Sequence, residues 1–209
     1  IDAAIQGKLT EQLPEDGTAE ELYQKIQVEK REQTIAGIIK KKKTLPDISD
    51  DEIPFHIPDN WKWARLGTVF TLQSGKNIPA DDINDYSDET HQIPCYGGNG
   101  QRGFVEKANV EGYHAIIGRQ GALCGNINFA NGPFYATEHA VVVFEYADTD
   151  MNWAGITLRA LNLNQYATSV AQPGLAVNKI DKVLIPLPPL AEQKRIAQKI
   201  NELTQIFTI

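Results

Sequence analysis

The sequence predicts an α+β protein: an irregular, mainly antiparallel β region flanked by long α-helices that pack in a coiled-coil-like way. Three observations carry this. Short apolar runs at Ile93–Tyr96, Gly103–Val105, His114–Ile117, Asn126–Phe129 and Ala140–Tyr146 alternate with glycine-rich turns, the spacing of antiparallel strands. Thr18-Ala-Glu-Glu21 has the form of a capping box, with a helical stretch behind it. After Pro189, Ile196, Ile200, Leu203 and Phe207 recur at steps of four, three and four, one narrow apolar seam suited to a partner helix.

In chain order, residues 1–12 read as a helix end closed by the turn Leu13-Pro14-Glu-Asp-Gly17. The absence of an initiator methionine and the helical look of the opening residues predict a longer parent chain. The helix opened by Thr18 is expected to reach about Lys40, with Leu22, Ile26, Ile35 and Ile39 facing a partner and a polar interruption from Glu29 to Gln33. The lysine run Lys40–Lys43 fits a solvated helix C-terminus, where cations are favoured, better than a targeting or phosphate-binding signal. Residues 44–58 are rich in Pro, Asp and Ser and read as a linker. Trp61 and Trp63 open the β region as edge anchors. A helix is expected over Trp153–Tyr166, then a loop through Gln172-Pro-Gly174 to Asn178-Lys179, and a last strand over Lys182–Leu187 that Pro186 and Pro188 end. Pro189 suits a first helical turn, where a missing N–H costs nothing. The expected division is therefore helices at 1–43, a linker at 44–58, a β domain at 59–188 and a C-terminal helix at 189–209.

The net charge of −7 argues against a partner held by bulk electrostatics, and no segment is strongly basic. Any nucleic-acid contact must come from a local patch. No apolar run spans a bilayer and no signal peptide is present, which points to the cytoplasm. Cys95 and Cys124 are too few for a disulfide framework and lack zinc-site spacing. No metal site and no cofactor are expected.

Catalytic signatures fail one by one. Gly98-Asn-Gly100-Gln-Arg-Gly103 matches the dinucleotide fingerprint by letter, but strand and turn follow it where a helix is required. There is no phosphate-binding Gly-x4-Gly-Lys-Ser/Thr loop. Pro188 and Pro189 lack the Asn/Asp and aromatic neighbours of an adenine methyltransferase motif. Glu192-x-Lys194 has no acidic partner, and His139 beside Glu138 reads more readily as a hydrogen-bonded structural histidine than as an acid-base group. What remains is a set of glycine-rich loops carrying donors: Ser74-Gly75-Lys76-Asn77, Gly97 to Gly103, Gly118-Arg119-Gln120-Gly121, and Gln172 to Lys179. Arginine reads guanine and Asn or Gln reads adenine in the major groove, while glycine lets backbone approach phosphate.

Several blocks carry a resemblance. Pro58-x-x-Trp61-x-Trp63-x-x-Leu66-Gly67, Pro94-x-Tyr96-Gly-Gly-Asn99-Gly, Ile116-Ile-Gly118-Arg119-x-Gly121, Ala136-Thr137-Glu138-His139, Gln172-Pro-Gly-Leu-Ala-Val-Asn178-Lys179 and Val183-Leu-Ile-Pro186-Leu-Pro188-Pro189-Leu-Ala-Glu192-Gln193 together resemble a target-recognition domain and its spacer helices in the specificity subunits of type I restriction-modification systems. The resemblance implies a non-catalytic chain that recognises one half of a split site in double-stranded DNA and directs adenine methylation and restriction by partner methylation and restriction subunits. The donors in the glycine-rich loops expected to contact DNA are Lys76, Asn99, Gln101, Arg102, Arg119, Gln120 and Lys179. Arg119 fits equally a brace within the β domain. Leu22, Ile26, Ile39, Ile196, Ile200, Leu203 and Phe207 are the expected helix-packing or partner residues. The alternative is an assembly module that scaffolds methylation subunits, or pairs with a second copy through its helices, without strong DNA binding of its own.

Overall fold

The computed structural model describes residues 1–168 and 173–206. It forms two compact units interleaved along the chain: Ile1–Phe70, Glu145–Leu161 and Asp181–Ile209 make a helical unit, Thr71–Phe144 and Asn162–Ile180 a β unit. Elements are numbered in chain order across both.

The helical unit contains α1 (Asp2–Ile5), α2 (Ala19–Ile35), β1 (Lys62–Arg65), α3 (Leu66–Val69), α4 (Met151–Ala160), β10 (Leu184–Leu187) and α6 (Leu190–Ile206). Strands β1 and β10 pair antiparallel, from Lys62 opposite Leu187 to Arg65 opposite Leu184. Thr18 caps α2 as expected, its hydroxyl accepting from the Glu21 N–H at 3.3 Å. The helix stops at Ile35, short of Lys40, because Gly37 at φ +72° closes it. The Ile38 N–H bonds to Gln33 O at 2.9 Å and the Gly37 N–H to Thr34 O at 3.1 Å, a Schellman motif. Ile39 therefore lies beyond the helix. So does the lysine run, which forms no helix C-terminus; Lys42 instead pairs with buried Asp181 at 2.9 Å.

The polar interruption in α2 is a docking face. Leu22 and Ile26 are buried. On the same helix, Gln27 donates to Thr68 O at 3.0 Å, and the Lys30 ammonium donates to Gly67 O at 2.8 Å, Phe70 O at 2.9 Å and Thr68 O at 3.2 Å, around the end of α3. Lys30 also sits 5.3 Å over the Tyr146 ring. Burial pulls its pKa down to about 8, with the Lys42 charge adding to the shift and Asp181 opposing it.

Helix α6 starts on a knot of hydrogen bonds. Glu192 has no exposed surface and accepts from the Trp61 indole at 2.7 Å, the Gln12 amide at 2.7 Å and the Thr10 hydroxyl at 2.9 Å. Next to it, Gln193 accepts from the Asp150 N–H at 2.9 Å and donates to Pro188 O at 3.0 Å, and Arg195 pairs with Asp16. The apolar seam fades outward: Ile196 is fully buried, Ile200 and Leu203 are half-buried and Ile206 is exposed. Phe207 lies outside the described residues. The helix packs on α4, and α2 on α3.

Segment 44–58, read from composition as a linker, is strapped down by Arg65. This guanidinium is 5% exposed and donates to Pro46 O at 2.7 Å, Lys182 O at 2.8 Å and Asp47 O at 2.9 Å, with Glu52 at 2.9 and 3.0 Å. Its hydrogen bond holds the Glu52 carboxyl down at about 2, helped by the Ser49 N–H. Trp63 packs on the edge of Phe55 with ring centroids 5.0 Å apart.

The β unit holds two four-stranded sheets and a short helix, α5 (Val177–Ile180). In one sheet, β2 (Thr71–Ser74), β9 (Ala140–Phe144), β6 (His114–Gly118) and β7 (Ile127–Ala130) lie in that order, all antiparallel. In the other the order is β4 (Gly100–Val105), β3 (Ile93–Gly97), β8 (Pro133–Ala136) and β5 (Val110–Glu111). Here β3 and β8 run parallel, Cys95 opposite Tyr135. Ile116, Ala130, Phe134, Ala136, Ala140 and Val142 form the core, with Tyr96 edge-on to Phe134 at 5.7 Å. His114 is buried with both ring nitrogens against carbonyls, of Val143 at 3.1 Å and Glu111 at 3.2 Å, a structural histidine.

One expected helix is two. Asp150 caps α4 by accepting from the Trp153 N–H at 2.8 Å, and the helix runs only to Ala160. Asn162 then adopts a left-handed conformation, φ 45°, before a 3₁₀ turn over Leu163–Tyr166. Asparagine tolerates that conformation better than most side chains.

Candidate nucleic-acid interface

Five loops of the β unit converge through backbone contacts. The β3–β4 hairpin turns at Gly98-Asn99, between the Gly97–Gly100 pair, with Gly100 at φ +93°. It rests on the loop that follows β6: a Cβ on Gly118 would stand 2.0 Å from Gly98 O, and one on Gly98 would stand 2.6 Å from Gln120 O. Only glycine permits this approach. The loop after β2 joins from another side. The Gly75 N–H donates to Ala140 O at 3.0 Å and the Lys76 N–H to Ala136 O at 2.9 Å, while a Cβ on Gly75 would fall 2.1 Å from that same Ala136 oxygen.

The turn between β8 and β9 ties the rest together. Thr137 N–H donates to Tyr96 O at 2.9 Å, and Arg119 N–H to His139 O at 2.7 Å. The segment after residue 172 closes the group, with Leu175 N–H on Arg119 O at 2.8 Å and Gly121 N–H on Pro173 O at 3.0 Å.

This frame leaves the side chains of Lys76, Asn99, Gln101, Arg102 and Gln120 exposed, and Lys179 exposed on α5. Gln101 makes only a long contact, 3.5 Å, to Gly103 O. Arg119 differs: it is half-buried and donates from Nε to Leu175 O at 3.2 Å and from Nη1 to Glu138 O at 3.3 Å. Its guanidinium braces two of the loops, the bracing role that its place between glycines had left open. Gln172 lies outside the described residues.

The sequence reading passed over Glu138 as a contact residue. It is the one acidic residue in loops 74–77, 97–103, 118–121, 136–140 and 173–179, and that contrast was the available signal. Its Oε1 lies 3.2 Å from His139 Nε2. Beneath the turn, Cys95 is fully buried, and burial pushes its thiol up to about 11, Arg102 opposing and Glu138 adding to the shift. At neutral pH it is an inert core group. Among the described residues no cluster of three or more His, Cys, Asp or Glu could hold a metal ion, and no helix is long and apolar enough to cross a membrane.

A family model for the type I restriction modification DNA specificity domain matches residues 58–209. The chain belongs to this family. Among curated specificity-domain proteins, it is 44% identical over 150 residues to the type I restriction enzyme EcoprrI specificity subunit of Escherichia coli, covering 70% of this chain and 37% of that one. To the EcoAI specificity subunit of the same organism it is 29% identical over 229 residues, covering 98% and 38%. The specificity-domain chain thus spans well under half the length of these relatives. Its fold matches that of the HsdS subunit from Thermoanaerobacter tengcongensis, TM-score 0.57 at 19% identity over 90% of this chain and 49% of that one. It likewise matches a type I S subunit from M. genitalium, TM-score 0.60 at 16% identity over 74% and 41%.

Proposed function

We propose that this chain recognises one half of a bipartite site in double-stranded DNA and directs adenine methylation and restriction carried out by partner methylation and restriction subunits. The chain itself is non-catalytic, needs no cofactor and acts in the cytoplasm. The observation that carries this is the convergence of the glycine-framed loops, with exposed donors above a backbone frame that side chains cannot enter. Lys76 and Lys179 suit phosphate, Asn99, Gln101 and Gln120 suit base edges, and Arg102 suits guanine. Arg119 is assigned to positioning the loops. The acidic net charge fits this division, since the partner subunits supply most of the phosphate neutralisation.

Arg102→Ala in the full parent complex tests it by equilibrium binding to the complex's methylation site and to unrelated DNA. A loss confined to the cognate site marks a base contact and a uniform loss marks a phosphate contact. No loss at all overturns the assignment of this loop.

A second reading, a helix-pairing assembly module, is favoured by one observation: Val28 and Ile35, two turns apart on α2, are 56% and 76% exposed. Sizing the protein with and without DNA separates the two, because an assembly module associates regardless of DNA.

A further inference from the structure

We propose that Glu138 reads a base: its carboxylate accepts a hydrogen bond from an exocyclic amino group of cytosine or adenine and so fixes one base pair of the half-site. This rests on the DNA-recognition reading above.

A carboxylate is out of place on a surface meant for a polyanion, where it repels phosphate. Within its own fold Glu138 is only partly employed. Oε1 faces His139 Nε2 at 3.2 Å, whereas Oε2 is buried without a hydrogen-bond partner. The side chain as a whole is 35% exposed.

Two neighbours share the condition. His139 Nδ1 and Asn128 Nδ2 are also buried and unpartnered. The Asn128 amide lies by the β3–β4 turn, its Nδ2 3.5 Å from a Cβ on Gly100, and the backbone of His139 approaches the same turn, its O 3.4 Å from a Cβ on Gly98. Folded proteins leave few such groups. Glu138 and His139 lie in the β8–β9 turn and Asn128 beside the β3–β4 turn, so three polar atoms without a partner fall among the elements that carry the exposed donors.

The hydrogen-bond chemistry selects the ligand group. Lys76 and Arg102 only donate; Asn99, Gln101 and Gln120 donate and accept; an ionised Glu138 only accepts. An acceptor-only group recognises the amino hydrogens at the major-groove edge of cytosine or adenine and rejects the keto oxygens of guanine and thymine. A Cβ on Gly97 would meet Thr137 Oγ1 at 3.7 Å and Arg102 Cδ at 3.8 Å, so Arg102 and the turn that carries Glu138 flank the same strand end.

The test uses the full parent chain assembled with its methylation subunits, and duplexes in which each half-site base pair is replaced singly. Glu138→Gln keeps the shape and an oxygen for His139 but adds a donor; Glu138→Ala removes the group, and thermal melting of both checks folding. Wild type is expected to lose about tenfold or more in affinity when one particular C·G or A·T pair is replaced. Both variants lose that discrimination at that pair alone, and their binding to unrelated DNA stays equal or tightens. Glu138→Gln with every preference intact overturns the inference. If Glu138→Ala alone loses discrimination, the role is positioning of His139 and base reading by Glu138 is overturned. Uniform loss at all pairs with a lowered melting temperature overturns it in favour of a structural role. Wild type showing no preference for any sequence instead overturns DNA recognition itself.

Discussion

Raising the pH should strengthen the helical unit through Lys30. In an unfolded chain this ammonium titrates near 10.5, and in the fold at about 8, chiefly because burial penalises the charge. Below pH 8 the folded unit carries the full cost of a buried ammonium. Between 8 and 10.5 the unfolded chain binds more protons than the folded one, so stability rises with pH across that window. The gap corresponds to about 3 kcal/mol at about 1.4 kcal/mol per pH unit. Burial of Cys95, Tyr96 and Tyr135 raises their pKa values and works in the opposite sense, stability falling as pH climbs through their folded values. Subtraction removes them. Urea unfolding of wild type and Lys30→Met, at steps from pH 7.5 to 10.5, should show wild type gaining about 3 kcal/mol relative to the variant. A difference that stays flat or falls would refute the claim that Lys30 is held as a costly buried cation.

Glu192→Ala removes the buried acceptor shared by Thr10, Gln12 and Trp61, leaving Trp61 only its 3.2 Å bond to Gln12, and should cost about 2–4 kcal/mol in urea unfolding, with quenching or shift of the Trp61 fluorescence. Arg65→Lys cannot reproduce the fork that joins Glu52 to three carbonyls, so protease cleavage within residues 46–52 should accelerate at least severalfold. Gly118→Ala places a methyl 2.0 Å from Gly98 O and should lower stability by about 1–3 kcal/mol, measured by thermal melting, while weakening DNA binding through the displaced hairpin. Arg119→Ala should lower the melting temperature, whereas Arg102→Ala, whose side chain is exposed, should leave it unchanged.

Much of the fold was legible because its signals are local. Glycines bracketing apolar runs located β3, β4, β6, β7 and β9 to within a few residues, and Thr18 marked the start of α2. The failures share a cause. Ile38 and Ile39 continue the apolar rhythm of α2, so periodicity ran past Gly37, which the chain uses as a left-handed cap. Asn162 broke the helix expected through Tyr166 in the same way. Strand β8 begins with an exposed proline and pairs partly in parallel with β3, a long-range choice without a sequence period. At the candidate interface, residue type pointed to the exposed donors, because Lys, Asn, Gln and Arg in glycine loops are conspicuous. The sequence left the Arg119 brace open as one of two roles, because its acceptors, Leu175 O and Glu138 O, come from distant segments, and that Glu138 Oε2 lacks a partner is visible only in the folded loops.

The backbone-on-backbone approach of Gly98 and Gly118 has an evolutionary corollary. Where neither loop can accept a Cβ, their paths are fixed, and the free variables are the side chains that point away: Asn99, Gln101, Arg102 and Gln120. If those four positions read bases as proposed, new sequence preferences arise by point substitution there with no change in loop length. Each such change leaves the hydrophobic core and the melting temperature almost untouched. A lineage under pressure to alter its target can explore many preferences before it has to rebuild any part of the fold.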